Sequence, residues 1–382
     1  MSTRKILYVR SGPYKVNLNG YNLQEIGLGK AFCKKGYDFD ILYYSDENKI
    51  EIIDTPQNNL RILWCKGIKL LRSGVYPKIL KKKFLKKYDY IIVSEYSQIM
   101  AVLLSGLHNN VYVYNGPYYN LFKVKLIEPI YDKLFVPILN KRLKKIFCKT
   151  KMAENFLEKK GFSNTVPVGV GLDLEKYKKE EEIDASTKTV LNKMQGHKNV
   201  LFVGSISKRK NVEFIIKAFT DYKIKNRQDK KTQLILIGKG SNRYKQYCKN
   251  LIPQEVQESV LWVESLRNPQ LKFVYQKTDL FLLPSKQEIF GMVLLEAMYF
   301  SVPVIASHTA GADMLIKNSI NGIIIDNYDY KLWSEQIKQL LNNADLAKSM
   351  GENAYRTVSN EFNWNRIANK MEKGFNKGNL YR

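Results

Sequence analysis

The chain opens the same way twice. Residues 5–9 (KILYV) form an apolar run that ends in Arg10-Ser11-Gly12-Pro13, and residues 199–203 (NVLFV) form a similar run that ends in Gly204-Ser205. Runs this short and this continuously apolar read as strands buried on both faces, the mark of parallel pairing. Apolar residues at helical spacing follow each: Leu23, Ile26, Leu28, Ala31 and Phe32 after the first, Phe214, Ile215, Ala218 and Phe219 after the second. Each helix then reaches another strand, at 38–43 (DFDILY) and at 233–237 (QLILI). This repeated opening predicts an α/β chain of two Rossmann-like, doubly wound domains in tandem.

Further strands are expected at 90–93, 111–114 and 145–148 in the first half, and at 260–263, 279–283, 302–306 and 322–325 in the second. The stretch 178–189, charged and then Ala-Ser-Thr, has the composition of an exposed linker. The expected division is therefore 1–180, 181–360 and a tail, 361–382, in which Phe362, Trp364, Ile367 and Met371 mark a docked helix. Length agrees, since 382 residues with 45% hydrophobic content are too many for one ordinary core.

Several function classes drop out. No apolar stretch approaches the roughly 18 residues that a membrane helix needs, and MSTRKILYVRSGP lacks the apolar core of a signal peptide, so a cytoplasmic location is expected. Cys33, Cys65, Cys148 and Cys248 lie too far apart for a paired metal motif and are expected to be reduced and mostly buried. The three histidines, His108, His197 and His308, form no His-Glu-x-x-His and suggest no serine-hydrolase triad. Dinucleotide fingerprints fail, because Gly238-x-Gly240 lacks the third glycine, and no Walker A sequence exists. The formal charge of +26 calls for an anionic partner: nucleic acid, phospholipid headgroups or a phosphorylated small molecule.

The densest segment for chemistry is 282–307, LLPSKQEIFGMVLLEAMYFSVPVIAS. A strand ends at Pro284-Ser285, a short loop carries Glu288, and a helix beginning near Gly291 carries Glu296. Ligands of open α/β sheets bind at the carboxyl ends of strands, and the amino end of the following helix favours an anion there. Two carboxylates beside an anion site suit the hydroxyls of a sugar; the plainer alternative makes Glu288 a helix cap and Glu296 a solvated helix residue. Lys208-Arg209-Lys210-Asn211 also stands between a strand and a helix amino end, where cations are usually avoided and an anionic ligand would explain them. A solvated basic loop is the alternative. Gly238-Lys239-Gly240-Ser241 is a weaker third strand-end turn.

Taken in order, these segments resemble the family-4 retaining glycosyltransferases of the GT-B fold. Gly12-Pro13 stands at the first glycine loop, and YNLQEIGLGKAFCKKGYDFDI resembles the first helix and second strand. VPVGVGLDLEKY resembles the segment closing the N-terminal domain, LFVGSISKRKNVEFIIKAF the donor-phosphate loop and LILIGKGS the next strand turn. TDLFLLPSKQEIFGMVLLEAM resembles the Glu-x7-Glu signature, with Glu288 and Glu296 as its ends, and EFNWNRIA the terminal helix that crosses back. The C-terminal half matches more closely than the N-terminal half.

The resemblance implies two domains facing a central cleft and a metal-independent hexosyltransferase that uses a nucleotide diphosphosugar, such as a UDP- or GDP-sugar, with no cofactor. Glu288 and Lys210 would be catalytic, Glu288 on donor-sugar hydroxyls and Lys210 on the diphosphate. Glu296 would hold the ribose, and the backbone of Phe290, Gly291, Met292 and Val293 would line sugar and phosphate. Gly12, Ser205, Arg209 and Gly238 complete the donor side. Ser205 stands where the family has an arginine, so Lys208 or Arg209 would substitute. Asn115, Gly116 and Pro117 replace a family histidine, leaving Asn115 and Tyr118 as acceptor-side candidates, and Met314 replaces a glutamate. The implied setting is bacterial capsule or surface polysaccharide synthesis with a saccharide or lipid-linked acceptor.

Two basic stretches interleaved with apolar residues, 66–87 and the set Lys123, Lys125, Lys133 and 141–145, suit an anionic membrane surface, so peripheral docking on the inner face is expected. The alternatives are a solvated basic face, a GT-B enzyme acting on a nucleotide sugar without transfer (epimerase-like) or a phosphorylase, and a nucleic-acid-binding protein. The last lacks a binding module and spreads its cations over the chain.

Overall fold

A computed structural model describes residues 3–10, 12–18, 23–53, 55–56, 59–70 and 72–376. Ser11, Tyr21, Asn22, Leu71, the first two residues and the end of the 361–382 tail, all within segments singled out above, lie outside the described residues. The chain divides into two compact units: one takes 172–361, and the other joins the described residues up to Gly171 to those from Phe362 onward.

The first unit is built on an eight-stranded sheet in the order Thr165–Pro167, Lys145–Cys148, Val111–Asn115, Tyr90–Val93, Lys5–Val9, Asp38–Ser45, Leu60–Lys66, Lys49–Ile53. Every pairing is parallel except the last. The inner strands are buried along almost their whole length, as their unbroken apolar runs require. The helix Trp364–Asn376 packs on the helix Gln24–Lys34 of this unit. Trp364, Ile367 and Met371 are buried, and the Trp364 indole lies where a side chain on Gly27 would have to go, 2.1 Å from it.

The second unit holds a six-stranded, wholly parallel sheet: Val260–Val263, Thr232–Ile237, Lys198–Val203, Leu280–Leu283, Val304–Ser307, Ile323–Ile325.

Two expectations are corrected. The units divide between Gly171 and Leu172, not at 180, because the segment after Gly171 is held by the second unit. Leu172 is buried, Tyr177 packs against Tyr299 and Phe300, and Lys272 Nζ donates to the Lys179 carbonyl at 2.6 Å. The linker expected over 178–189 is half helix, since Asp184 accepts from the Thr187 N–H at 2.8 Å and so caps a helix, Ala185–Met194.

Candidate active site

In the second sheet the chain order reverses between the neighbours Lys198–Val203 and Leu280–Leu283, which makes their carboxyl ends the topological switch point. The loops leaving these strands lie side by side, and the Lys286 N–H donates to the Arg209 carbonyl at 2.9 Å. Each loop ends in a residue with left-handed backbone that turns the chain into a helix. Asn211 (φ 57°) opens Val212–Lys225, and Gly291 (φ 75°) opens Met292–Tyr299. The amino ends of both helices, with their unpaired N–H groups, therefore flank the same two loops.

Lys210 and Glu288 meet here. Lys210 Nζ lies 2.5 Å from Glu288 Oε1, with side-chain exposures of 9% and 10%. Arg209 Nη1 reaches the same oxygen at 3.1 Å and also donates to the Gln287 carbonyl at 2.7 Å. Glu288 is therefore not a helix cap; no side chain caps Met292–Tyr299. Nor is Lys210 part of a solvated basic loop, although Lys208 beside it is exposed. A carboxylate and two cations converge at two helix amino ends, the equipment for holding an anion beside a hydroxyl-bearing group.

Glu296 is also buried, at 2% exposure, and is not a solvated helix residue. Tyr177 donates its hydroxyl to Oε1 at 2.9 Å and Tyr275 to Oε2 at 3.1 Å. Burial and the carboxylate beside it both push the Tyr177 phenol far above its ordinary pKa, so it remains a donor. Sequence reading missed both tyrosines. Nothing in the chain pairs position 177 with 296; the only hint was the run of aromatic residues around Tyr299 and Phe300.

The remaining donor-side candidates shape the floor of this region. A Cβ on Gly238 would stand 1.7 Å from the Gly204 carbonyl oxygen, and one on Gly311, in the helix Ala310–Leu315, would stand 1.8 Å from that of Phe290, so both close backbone approaches depend on glycine. Phe290, Met292 and Val293 have buried side chains, which leaves the backbone as what they can present. Ser205 is exposed, and its hydroxyl lies 3.2 Å from that of Ser207. The Ser285 carbonyl is pinned by the hydroxyls of Ser307 (2.5 Å) and Tyr328 (3.2 Å). Met314 is half-buried in the helix Ala310–Leu315.

Gly12, Asn115 and Tyr118 belong to the other unit. Gly12 lies in the turn after Lys5–Val9, under the Tyr14 ring. Asn115 is fully buried and its amide is engaged internally: Nδ2 donates to the Pro117 carbonyl at 2.9 Å and Oδ1 accepts from the Tyr96 N–H at 3.4 Å. Tyr118 packs edge-on against Tyr119. The strand ends of this unit gather a polar cluster that sequence reading did not find. Arg10 Nη1 lies 2.5 Å from Glu25 Oε1, and Lys149 Nζ donates to Gln24 Oε1 at 2.7 Å while standing 4.9 Å from the centre of the Tyr114 ring. The only signal was position, since Arg10 and Lys149 each directly follow a predicted strand.

All four cysteines are free and buried, and burial pushes the Cys33 thiol up to about 12 and the Cys248 thiol to about 11. Among the described residues no three His, Cys, Asp or Glu side chains gather as a metal site, and no helix is long and apolar enough to cross a membrane.

Residues 184–357 match the family described as "Glycosyl transferases group 1". Over 364 residues the chain is 24% identical to an uncharacterized glycosyltransferase of Methanocaldococcus jannaschii, covering 89% of this chain and 90% of that one. Over 175 residues it is 27% identical to the capsular polysaccharide biosynthesis glycosyltransferase CapM of Staphylococcus aureus, spanning 46% of this chain and 45% of CapM. Its fold is that of HepE from Anabaena, solved in complex with UDP, with a TM-score of 0.72 at 16% identity over 98% of this chain and all of that one. The matched domain contains Lys210, Glu288 and Glu296, so the second unit carries a glycosyl transferases group 1 domain, and the chain has the α/β GT-B fold of glycosyltransferases.

Proposed function

We propose that the chain moves a hexose-type sugar from a nucleotide diphosphosugar to a saccharide or lipid-linked saccharide acceptor. It does so with retention of configuration and without a metal ion, in bacterial surface polysaccharide assembly. The observation that carries this reading is the Lys210–Glu288 contact at the switch point of the matched domain. The Glu288 to Glu296 spacing supports the family-4 subdivision, the UDP complex of HepE supports a nucleotide-sugar donor, and the name of CapM supports the polysaccharide setting.

The chemistry is electrostatic. The bond between the anomeric carbon and the β-phosphate oxygen breaks, one between that carbon and the acceptor oxygen forms on the same face, and the departing phosphate oxygen takes the acceptor's proton. Negative charge grows on the leaving diphosphate, where Lys210, Arg209 and the two helix amino ends meet it. Preorganised donors of this kind are each worth about 3 kcal/mol to a transition state. Glu288 accepts hydrogen bonds from sugar hydroxyls, Glu296 holds the ribose, and the backbone of Phe290 to Val293 lines the phosphate. The first unit serves the acceptor, and its basic surface docks on the anionic inner face of the membrane.

Thermal stabilisation by a panel of UDP-, GDP- and other nucleotide sugars identifies the donor, because a ligand of the folded state alone raises its melting midpoint. The identified donor is then turned over with and without a saccharide or lipid-linked acceptor, in chelator, and the product anomer is assigned. Acceptor-dependent transfer with retention is expected. Stabilisation by none of the panel, or turnover indifferent to acceptor, overturns the reading.

A further inference from the structure

The helix Ile127–Arg142 in the first unit carries two apolar faces where packing explains one. Its inner face is anchored in the core by Tyr131, Val136 and Leu139, all buried. Its outer face is not polar: Leu126 is 74% exposed, Ile130 61%, Leu134 56% and Ile138 37%, each four residues after the last, with Val124 just before them at 56%. Wound at about 100° per residue, positions 126, 137, 130, 134 and 138 fall within an arc of roughly 120°, with Lys133 at its edge and Lys141 joining it at the helix end. A helix bathed in water on that side would present polar residues there.

The charges are sorted as unusually as the apolar groups. The helix has two carboxylates, and both turn inward to one cation: Glu128 Oε2 lies 3.2 Å from Lys160 Nζ, Asp132 contacts the same Nζ, and Asp132 also accepts from the Tyr96 hydroxyl at 3.1 Å. The charges left on the outside are Lys123, Lys125, Lys133, Lys141 and Arg142, all exposed. An apolar stripe edged only by cations on long alkyl stems fits the boundary between lipid headgroups and acyl chains. A second copy of the chain fits poorly, because a symmetric contact would press these cations against their own counterparts with no carboxylate of the helix to answer them.

We propose that the outer face of Ile127–Arg142 is a membrane anchor. The helix lies in the plane of an anionic phospholipid surface, with Val124, Leu126, Ile130, Leu134 and Ile138 below the headgroups and the flanking cations on lipid phosphates. The inference rests on the membrane docking given under the proposed function and assigns it to one element. The other basic stretch does not qualify: its apolar members Tyr76, Ile79 and Leu85 are buried in the core, and among the described residues only Ile68 and Leu70 stand well out of it.

The test uses the full chain and vesicles of phosphatidylcholine with or without phosphatidylglycerol. The wild type is expected to cosediment with the phosphatidylglycerol vesicles and to release partly as salt rises. I130S/L134S, which alters only exposed side chains, is expected to lower partitioning roughly tenfold or more at low salt, from the apolar area withdrawn. I68S/L70S should bind as wild type, and both variants should keep the donor-induced rise in melting midpoint. Failure of the wild type to bind at low salt overturns membrane docking and this assignment together. Binding unaffected by I130S/L134S, or lost with I68S/L70S, overturns the assignment alone. Concentration-dependent dimers abolished by I130S/L134S would give the face to a second copy instead.

Discussion

Lys210 Nζ and Glu288 Oε1 stand 2.5 Å apart, joining two loops from neighbouring strands of one sheet. Each is the other's nearest charge, and Arg209 shares the carboxylate at 3.1 Å. In the proposed reaction Lys210 serves the leaving diphosphate and Glu288 the sugar, so removing the cation removes a donor that strengthens as charge develops. Lys210→Ala is expected to lower kcat on the order of 10²- to 10³-fold with the acceptor KM little changed. Because Arg209 still faces Glu288, the fold should survive, and circular dichroism and the melting midpoint serve as controls. A kcat near that of the wild type would remove Lys210 from the chemistry.

The two tyrosines on Glu296 give a prediction separable from catalysis. Both carboxylate oxygens are buried and hydrogen-bonded, one by Tyr177 and one by Tyr275. Tyr177→Phe or Tyr275→Phe deletes one donor while keeping the ring, and weakening the solvation of a buried charge costs about 1–3 kcal/mol. Denaturant unfolding reads this directly. If Glu296 also holds the ribose, Glu296→Gln raises the donor KM more than it lowers kcat, while the acceptor KM stays put. A loss confined to kcat would contradict that role.

What was legible in the sequence follows from how each element is buried. Strands such as Lys5–Val9, Tyr90–Val93 and Leu280–Leu283 are covered on both faces, so their runs are apolar throughout and stand out. Lys49–Ile53 is an antiparallel edge strand with mostly exposed, mixed residues, and Thr165–Pro167 is only three residues long; neither leaves such a trace. The site shows the same split. Lys210 and Glu288 could be found because strand ends announce them, whereas Tyr177 reaches Glu296 and Lys149 reaches Gln24 through tertiary packing that no spacing encodes.

Gly311 tests whether the donor loop needs its close backbone approach. A methyl group there would lie 1.8 Å from the Phe290 carbonyl oxygen and 2.3 Å from its carbon, and a backbone neighbour cannot rotate aside as a side chain can. Gly311→Ala is expected to cost about 1–3 kcal/mol of stability. It should also shrink the donor-induced rise in melting midpoint, since the 284–291 loop must move to relieve the clash. A variant with the wild-type midpoint and an unchanged donor response would show that the approach is dispensable.

Lys149 predicts a pH dependence of stability. Burial lowers its pKa, and the attraction of Glu25 and Glu95 only partly offsets this, leaving it at about 8 against an ordinary value of 10.5. Below pH 8 the lysine is protonated in both folded and unfolded chains, so the cost of burying its charge is fully present. Between pH 8 and 10.5 the unfolded chain holds more protons than the folded one, and the stability contributed by this group rises with pH. Lys149→Met removes the titration and leaves other groups common to both proteins. The wild type should therefore gain stability relative to Lys149→Met between pH 7 and pH 10, by something on the order of 2 kcal/mol. Urea unfolding at a series of pH values reads the difference, and a flat difference across that range would mean that the ammonium at this strand end is as well solvated as one in water.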